Sequence, residues 1–143
     1  MSIEENKVLS RRIFDEAGSQ GNFAVIEEAI APTFAYRTSA LPESHGPAGF
    51  KEFWTEHRRA FPDIHYTLEE VVAEGEKVVV RWTGIGTHQG DLMGTAPTGK
   101  PVKLPGITIF RFANGHIVDG RTVWDALALL QQIGVVPAPG QAG

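Results

Sequence analysis

The sequence predicts an α+β fold, a cone-shaped α+β barrel. A strongly curved antiparallel or mixed sheet carries three N-terminal helices on its concave face, and a short helix closes the chain. Three observations predict it. Helical periodicity occupies the first part of the chain and strand periodicity the rest, the segregated order that separates α+β from alternating α/β folds. Asn114 and Gly115 sit between two alternating runs, 107–112 and 116–124, the strongest short hairpin signal a sequence carries. Gly84 and Gly86 interrupt the β-branched run KVVVRWTGIGTHQ, where they weaken a flat strand and suit a sharply bent one. A bent sheet with helices across its hollow side encloses an apolar interior.

The elements follow in order. Residues 3–18 carry a helical stripe of Val8, Leu9, Ile13, Phe14 and Ala17, opened by Ser2 with Glu4 and Glu5 in the first turn and ended by Gly18 and Gly21. A second helix is expected from Asn22 as N-cap until Pro32 stops it. A short strand, 34–38, and a polar loop lead to a third helix over 47–61 with Pro47 in its first turn. Strands are then expected over 64–73 and 77–89. A Gly/Pro-rich connection, 90–105, contains a short 102–104 segment, and the hairpin follows. Ala126, Leu127, Leu129, Leu130 and Ile133 recur at helical spacing before Gly134. The chain is read as one domain over 1–143, with a core of about 6–134 and a flexible tail, 135–143.

Composition excludes several classes. A formal charge of −4 without a Lys/Arg cluster offers no field for nucleic acid. The chain has no cysteine, hence no disulfide or thiolate chemistry, and its five histidines show no H-x-H or i, i+4 pairing, so no metal site and no cofactor are expected. No GxGxxG, P-loop or G-x-S-x-G motif is present. The N-terminus lacks a signal peptide's apolar core and no apolar run approaches a membrane span, so a cytoplasmic location is expected.

Candidate site residues come from the end of the hairpin, one strand and one helix. Asp125, beside Trp124, either caps the closing helix or presents a carboxylate to the interior, where it serves as general acid/base. His88 shares a strand face with Trp82 and is a candidate donor or proton-transfer partner of Asp125; bonding a loop carbonyl is the alternative. Trp54, His57 and Phe61 span two turns of the third helix and either wall a cavity for a flat apolar or aromatic ligand or form plain core. His57 is the odd polar group there and needs a partner. His65 reads as solvent-facing, opposite Ile64 and Tyr66.

The motifs GNFAVIEEAIAPTF, HGPAGFKEFW, GTHQG followed by PTGK, and GITIFRFANGHIVDGRTVWDALALLQQIG closely resemble the SnoaL-like polyketide cyclase or ester cyclase family, over about 6–134. The resemblance implies the cone fold also found in nuclear transport factor, scytalone dehydratase, ketosteroid isomerase and limonene epoxide hydrolase, commonly as homodimers joined through the open sheet face. It implies that Tyr36, Arg37 and Thr38 lie near the pocket mouth. Two carboxylates near the end of the last strand mark the family's cyclases. The second falls on Asp125 here, whereas the first, the catalytic one, falls on Thr122, whose hydroxyl cannot serve as a base near neutral pH.

The leading expectation is a cofactor-independent small-molecule enzyme performing cyclisation, isomerisation or hydration/dehydration on an apolar carbonyl compound. Asp125 would be its acid/base and His88 or Tyr36 its polarising donor. A non-catalytic hydrophobic-ligand-binding or accessory domain is the alternative that Thr122 favours. An epoxide hydrolase-like use of Asp119, Arg121 and Asp125 ranks third, because alternation puts them opposite Thr122. A homodimer through a sheet face carrying Val79, Ile85, Ile107 and Ile109 is expected.

Overall fold

The computed structural model describes residues 2–137 and 140. Helix α1, Ile3–Arg12, starts with a capping box: Ser2 Oγ accepts from the Glu5 N–H, and the Glu5 carboxylate accepts from the Ser2 N–H. The helix does not run evenly to Gly18, because Ile13–Ser19 winds as a π-helix. The widened turn lays Gly18 against the rings of Tyr66 and Trp54, where an added Cβ would lie 3.0 and 3.2 Å from them. Arg58 of the third helix donates to the carbonyls of Gly18 and Ser19 at 2.7 and 3.1 Å, which satisfies groups at the end of this turn.

Helix α2, Ala24–Ala29, is shorter than expected. Pro32 does not end it: strand β1, Ile30–Thr38, has already begun. The ladder between β1 and the last strand is irregular from Ile30 to Ala35, so the N–H that proline lacks is not missed there. A two-residue strand, β2 (Ser44–His45), precedes helix α3, Gly46–Ala60. Strands β3 (His65–Glu74), β4 (Lys77–Thr87), β5 (Pro101–Ala113) and β6 (His116–Trp124) and helix α4 (Ala126–Gln132) complete the order. The expected 102–104 and 107–112 segments are one strand, β5. Pro105 interrupts nothing, because pairing with β6 begins only at Gly106 and the proline pairs solely with Thr83 of β4.

The sheet order is β2-β1-β6-β5-β4-β3, with β1 parallel to β6 and every other pair antiparallel. The sheet is curved and open, with edges at β2 and β3, so the barrel does not close. Gly106 is the tightest bend: a Cβ there would lie 2.1 Å from Trp82 Cζ2, so only glycine lets that indole cross the neighbouring strand. Alternate residues of β4 and β5 are buried, as are Ile117, Gly120 and Thr122 of β6 across its bulge; α1 packs on β3 and β4, the π-turn on β3 and α3 on β1. The core is aromatic: Phe14, Phe34, Phe50, Trp54, Phe61, Phe110 and Phe112 interlock on this concave side. No helix among the described residues is long and apolar enough to cross a membrane.

A candidate active site in the concave cavity

The concave side is not filled. A cavity of about 50 Å³, space for roughly three or four waters, lies among the π-turn, α3, α4 and the inner sheet face, with apolar walls. Phe14 reaches it from the π-turn; Trp54 and His57 reach it from α3 and Phe61 from the residue that caps its C-terminus; Tyr36 and Thr38 from β1; Tyr66 from β3; Trp82 from β4; and Thr122 and Trp124 from β6. Leu41, Phe53, His57, Leu92 and Met93 also line an open cleft of about 780 Å³ that adjoins it. Glu43, Glu52, Glu56 and Asp91 line the cleft, with Glu43 and Glu56 paired to Arg37 and Arg59 beside it.

Two polar networks interrupt the apolar walls. In the first, His57 Nε2 and Tyr66 Oη are 2.7 Å apart. Burial, and then the neighbouring Arg58 charge, lower the His57 pKa to about 4, so the imidazole is neutral at pH 7. Burial holds the Tyr66 phenol well above its usual value of 10, and the nearby Tyr36 phenol raises it further. The bond joins a protonated phenol to a neutral imidazole, and its direction is set by the ring tautomer. Tyr66 is held in place by its own N–H, which donates to Ser19 Oγ at 2.9 Å, and by the edges of Trp82 and Phe14, 5.3 and 5.5 Å away.

The second network contains no base. Trp82 Nε1 donates to Thr108 Oγ1 at 3.0 Å, Thr108 and Thr122 hydroxyls are 2.6 Å apart, and Thr122 Oγ1 and Tyr36 Oη are 2.6 Å apart. Burial pushes the Tyr36 phenol up to about 12, against the lowering effect of the Thr122, Thr108 and Thr38 hydroxyls. Nearby, Trp54 Nε1 is buried and has no hydrogen-bond partner among the described residues.

Two sequence expectations need correction. Asp125 is exposed and its Oδ1 accepts from the Ala128 N–H at 2.9 Å, capping α4; it does not line the cavity. The chain turns at the β6–α4 junction so that this carboxylate meets the first free amides of the helix rather than the interior. His88 is fully buried but lies just beyond β4, behind Phe61, and is also absent from the cavity wall. Its Nδ1 accepts from the Thr98 N–H at 3.2 Å and lies 3.0 Å from Thr98 Oγ1, which ties down the β4–β5 loop. The two are therefore no proton-transfer pair.

The epoxide hydrolase-like set does not converge either. Asp119 pairs with Arg37 and Arg121 at 3.0 and 3.6 Å outside the cavity, and none of Asp119, Arg121 and Asp125 lines it. The other eight candidate residues, Tyr36, Thr38, Trp54, His57, Phe61, Trp82, Thr122 and Trp124, share its wall. His65 is exposed, while Ile64 and Tyr66 are buried. Tyr66 and Thr108 are functional candidates that the sequence reading misses. Alternation with Ile64 already puts Tyr66 on the inner face, and Thr108 stands between Gly106 and Phe110 on the inner face of β5, so a lone hydroxyl on an apolar stripe is the available signal.

The family model for SnoaL-like polyketide cyclase matches residues 8–133. The chain belongs to that family. Among solved structures, a SnoaL-like protein of Jannaschia sp. CCS1, provisionally described as a polyketide cyclase, is 28% identical, with a TM-score of 0.87 over 96% of this chain and 97% of that one. A protein of Acidithiobacillus ferrooxidans with the same provisional description is 30% identical, TM-score 0.79, over 93% and 97%. AclR of Streptomyces galilaeus, provisionally described as a hydroxylase, is 26% identical, TM-score 0.84, over 98% and 87%. No curated protein matches the chain. As a member of this family, the protein has a small apolar hollow on the concave side of its sheet that adjoins an open cleft, with no carboxylate on the wall of the hollow.

Proposed function

We propose that this protein is a small-molecule enzyme performing cofactor-independent acid/base chemistry on an apolar carbonyl compound: cyclisation, isomerisation or hydration/dehydration. His57 and Tyr66 are its proton-transfer pair. The observation that carries the reading is the 2.7 Å contact between His57 Nε2 and Tyr66 Oη on an apolar cavity wall. The neutral imidazole offers Nε2 as a transient acceptor, the burial that lowers its pKa making the imidazolium short-lived, and a phenol that stays protonated passes a proton on. A proton taken from the carbon beside a carbonyl enters at the Tyr66 oxygen as the Tyr66 proton moves to Nε2, leaving an enolate and an imidazolium; the reverse transfer reprotonates the product. Charge created in a water-poor cavity is felt strongly by nearby dipoles, which is where such chemistry gains most. The provisional descriptions of its relatives as cyclases and a hydroxylase are compatible with this class.

The test needs no knowledge of the natural substrate. Exchange of the α-protons of cyclohexanone in deuterium oxide, followed by proton NMR, is expected to be accelerated by the wild type. His57→Asn and Tyr66→Phe should lower that rate on the order of 10²-fold or more. Equal rates in wild type and both variants would remove the assignment.

A second reading, a non-catalytic hydrophobic-ligand carrier, is favoured by one observation: Thr122 stands where the resemblance puts the family's catalytic carboxylate, and Asp125 faces solvent. We also infer a homodimer through the outer sheet face, where Ile85, Ile107, Ile109 and Val123 are all at least 40% exposed. Sedimentation velocity at micromolar concentration is expected to return twice the chain mass, and charges at Ile107 and Ile109 to return the monomer.

A further inference from the structure

The hydroxyl chain has one direction, and its free end faces the cavity. An indole N–H only donates, so Thr108 Oγ1 accepts from Trp82. Thr108 is fully buried, and besides Trp82 its hydroxyl has one partner within 3.5 Å among the described residues, Thr122 Oγ1, with the Tyr36 phenol farther off. Were Thr122 the donor in that contact, Thr108 would accept twice and its own proton would be sealed in the core without an acceptor. Thr108 therefore donates to Thr122. Thr122 Oγ1, accepting on that side, directs its own proton to Tyr36 Oη, which is its other neighbour. Beyond Thr122, Tyr36 Oη has no partner within 3.5 Å among the described residues; the Thr108 and Thr38 hydroxyls that also influence the phenol lie farther off, and Tyr36 and Thr38 both line the cavity, so the tyrosine proton is the one left free to turn inward.

Deepening the reading of this cavity as a small-molecule site, and resting on it, we propose that the Tyr36 O–H is the binding contact for a carbonyl oxygen on an otherwise apolar ligand. Thr122 and Thr108 act as positioning residues that hold this donor aimed inward. Successive hydroxyl bonds in one direction polarise each other, so the terminal phenol donates more strongly than a lone tyrosine. Burial keeps it protonated throughout the neutral range. The same geometry gives the uncharged residue at position 122 a role of its own. A carboxylate there only accepts, and would turn the Tyr36 proton away from the ligand, whereas a threonine passes the bond onward.

Neutron diffraction from deuterium-exchanged crystals reads the direction without any ligand or turnover. Deuterons on Thr108 pointing to Thr122, on Thr122 pointing to Tyr36, and on Tyr36 pointing into the cavity are expected. A Tyr36 deuteron pointing to Thr122 overturns the proposal. The ligand assignment is read from the affinities of cyclohexanone and its isostere methylenecyclohexane by calorimetry or NMR titration. Their ratio should fall roughly three- to tenfold in Tyr36→Phe. It should fall less in Thr122→Val and be restored in Thr122→Ser, a pattern that loss of fold would not produce. An unchanged ratio in all three variants, or no ketone binding at millimolar concentration, overturns it. If the ratio responds to Tyr36 while α-proton exchange ignores His57, the carbonyl site stands and the base assignment falls.

Discussion

The two polar networks of the cavity wall differ in what they can do with a proton. The His57–Tyr66 pair joins a neutral imidazole to a protonated phenol, so at rest it carries no charge, but it offers both a lone pair and a proton through which the proposed relay can pass. The chain from Trp82 through Thr108 and Thr122 to Tyr36 contains only donors and hydroxyls and keeps its charge at any pH near neutrality. Both satisfy polar atoms that the apolar core would otherwise strand, yet only one is suited to transfer and the other to fixed donation. Chemistry in such a hollow depends on which groups titrate, not on how many polar groups there are.

The heaviest blow to this contrast strikes the hydroxyl chain at its anchored end. Gly106→Ala would drive a methyl to 2.1 Å from the Trp82 indole, displacing its N–H from Thr108. A loss of about 3 kcal/mol in urea unfolding is expected, and because the Tyr66 ring packs on the same indole, the hydroxyl chain is lost first and the His57–Tyr66 contact is loosened with it.

The next effect belongs to the titrating pair alone. Native His57 stays neutral down to about pH 4, whereas an unfolded histidine takes its proton near pH 6.5. Between those values the unfolded state binds more protons, so stability falls as pH falls, by about 2 kcal/mol across the window. His57→Phe should flatten the pH 6.5 to 4 segment of a stability profile. Losses at lower pH should remain, where Glu5, Glu28 and Asp63, whose carboxyls are held below their usual values, take up protons.

Thr122→Val keeps shape but strands the Thr108 hydroxyl and removes the donor to Tyr36. A cost of about 1.5 kcal/mol is expected by chemical unfolding, and well under half of that for Thr122→Ser. Smallest of all, Asp125→Ala removes a helix cap, costing about 1 kcal/mol in thermal or urea unfolding, while Asp125→Asn is nearly neutral. Neither should change α-proton exchange, since this carboxylate stands apart from both networks.

Much of the architecture is legible in the residues. Asn114 and Gly115 both take positive φ between β5 and β6, as a two-residue hairpin requires. The alternation of Val78, Val80, Trp82 and Gly84 predicts their common buried face. Where reading fails, a local signal meets a non-local circumstance. Pro32 and Pro105 mark breaks in isolation but sit in strands at points where one partner is not paired. Asp125 carries both a capping and a catalytic signal, and the turn of backbone at the strand–helix junction decides between them. His57 visibly needs a partner, yet nothing in the spacing of α3 names Tyr66.

Local pattern alone set the order of most elements, the side of most strands that turns inward and the aromatic, cysteine-free character of the interior, because periods of 2 and 3.6 residues are properties of local backbone geometry. Which inward groups meet was settled by the packing of the whole chain. Tyr36 and Thr122, 86 positions apart, become neighbours because β1 inserts parallel to β6, and His57 meets Tyr66 because α3, packed on β1 and the π-turn, turns its Trp54 and His57 side chains toward the first residues of β3. Such pairings depend on how the sheet curves over long connections, and one hydroxyl or one imidazole leaves no periodic trace of its distant partner.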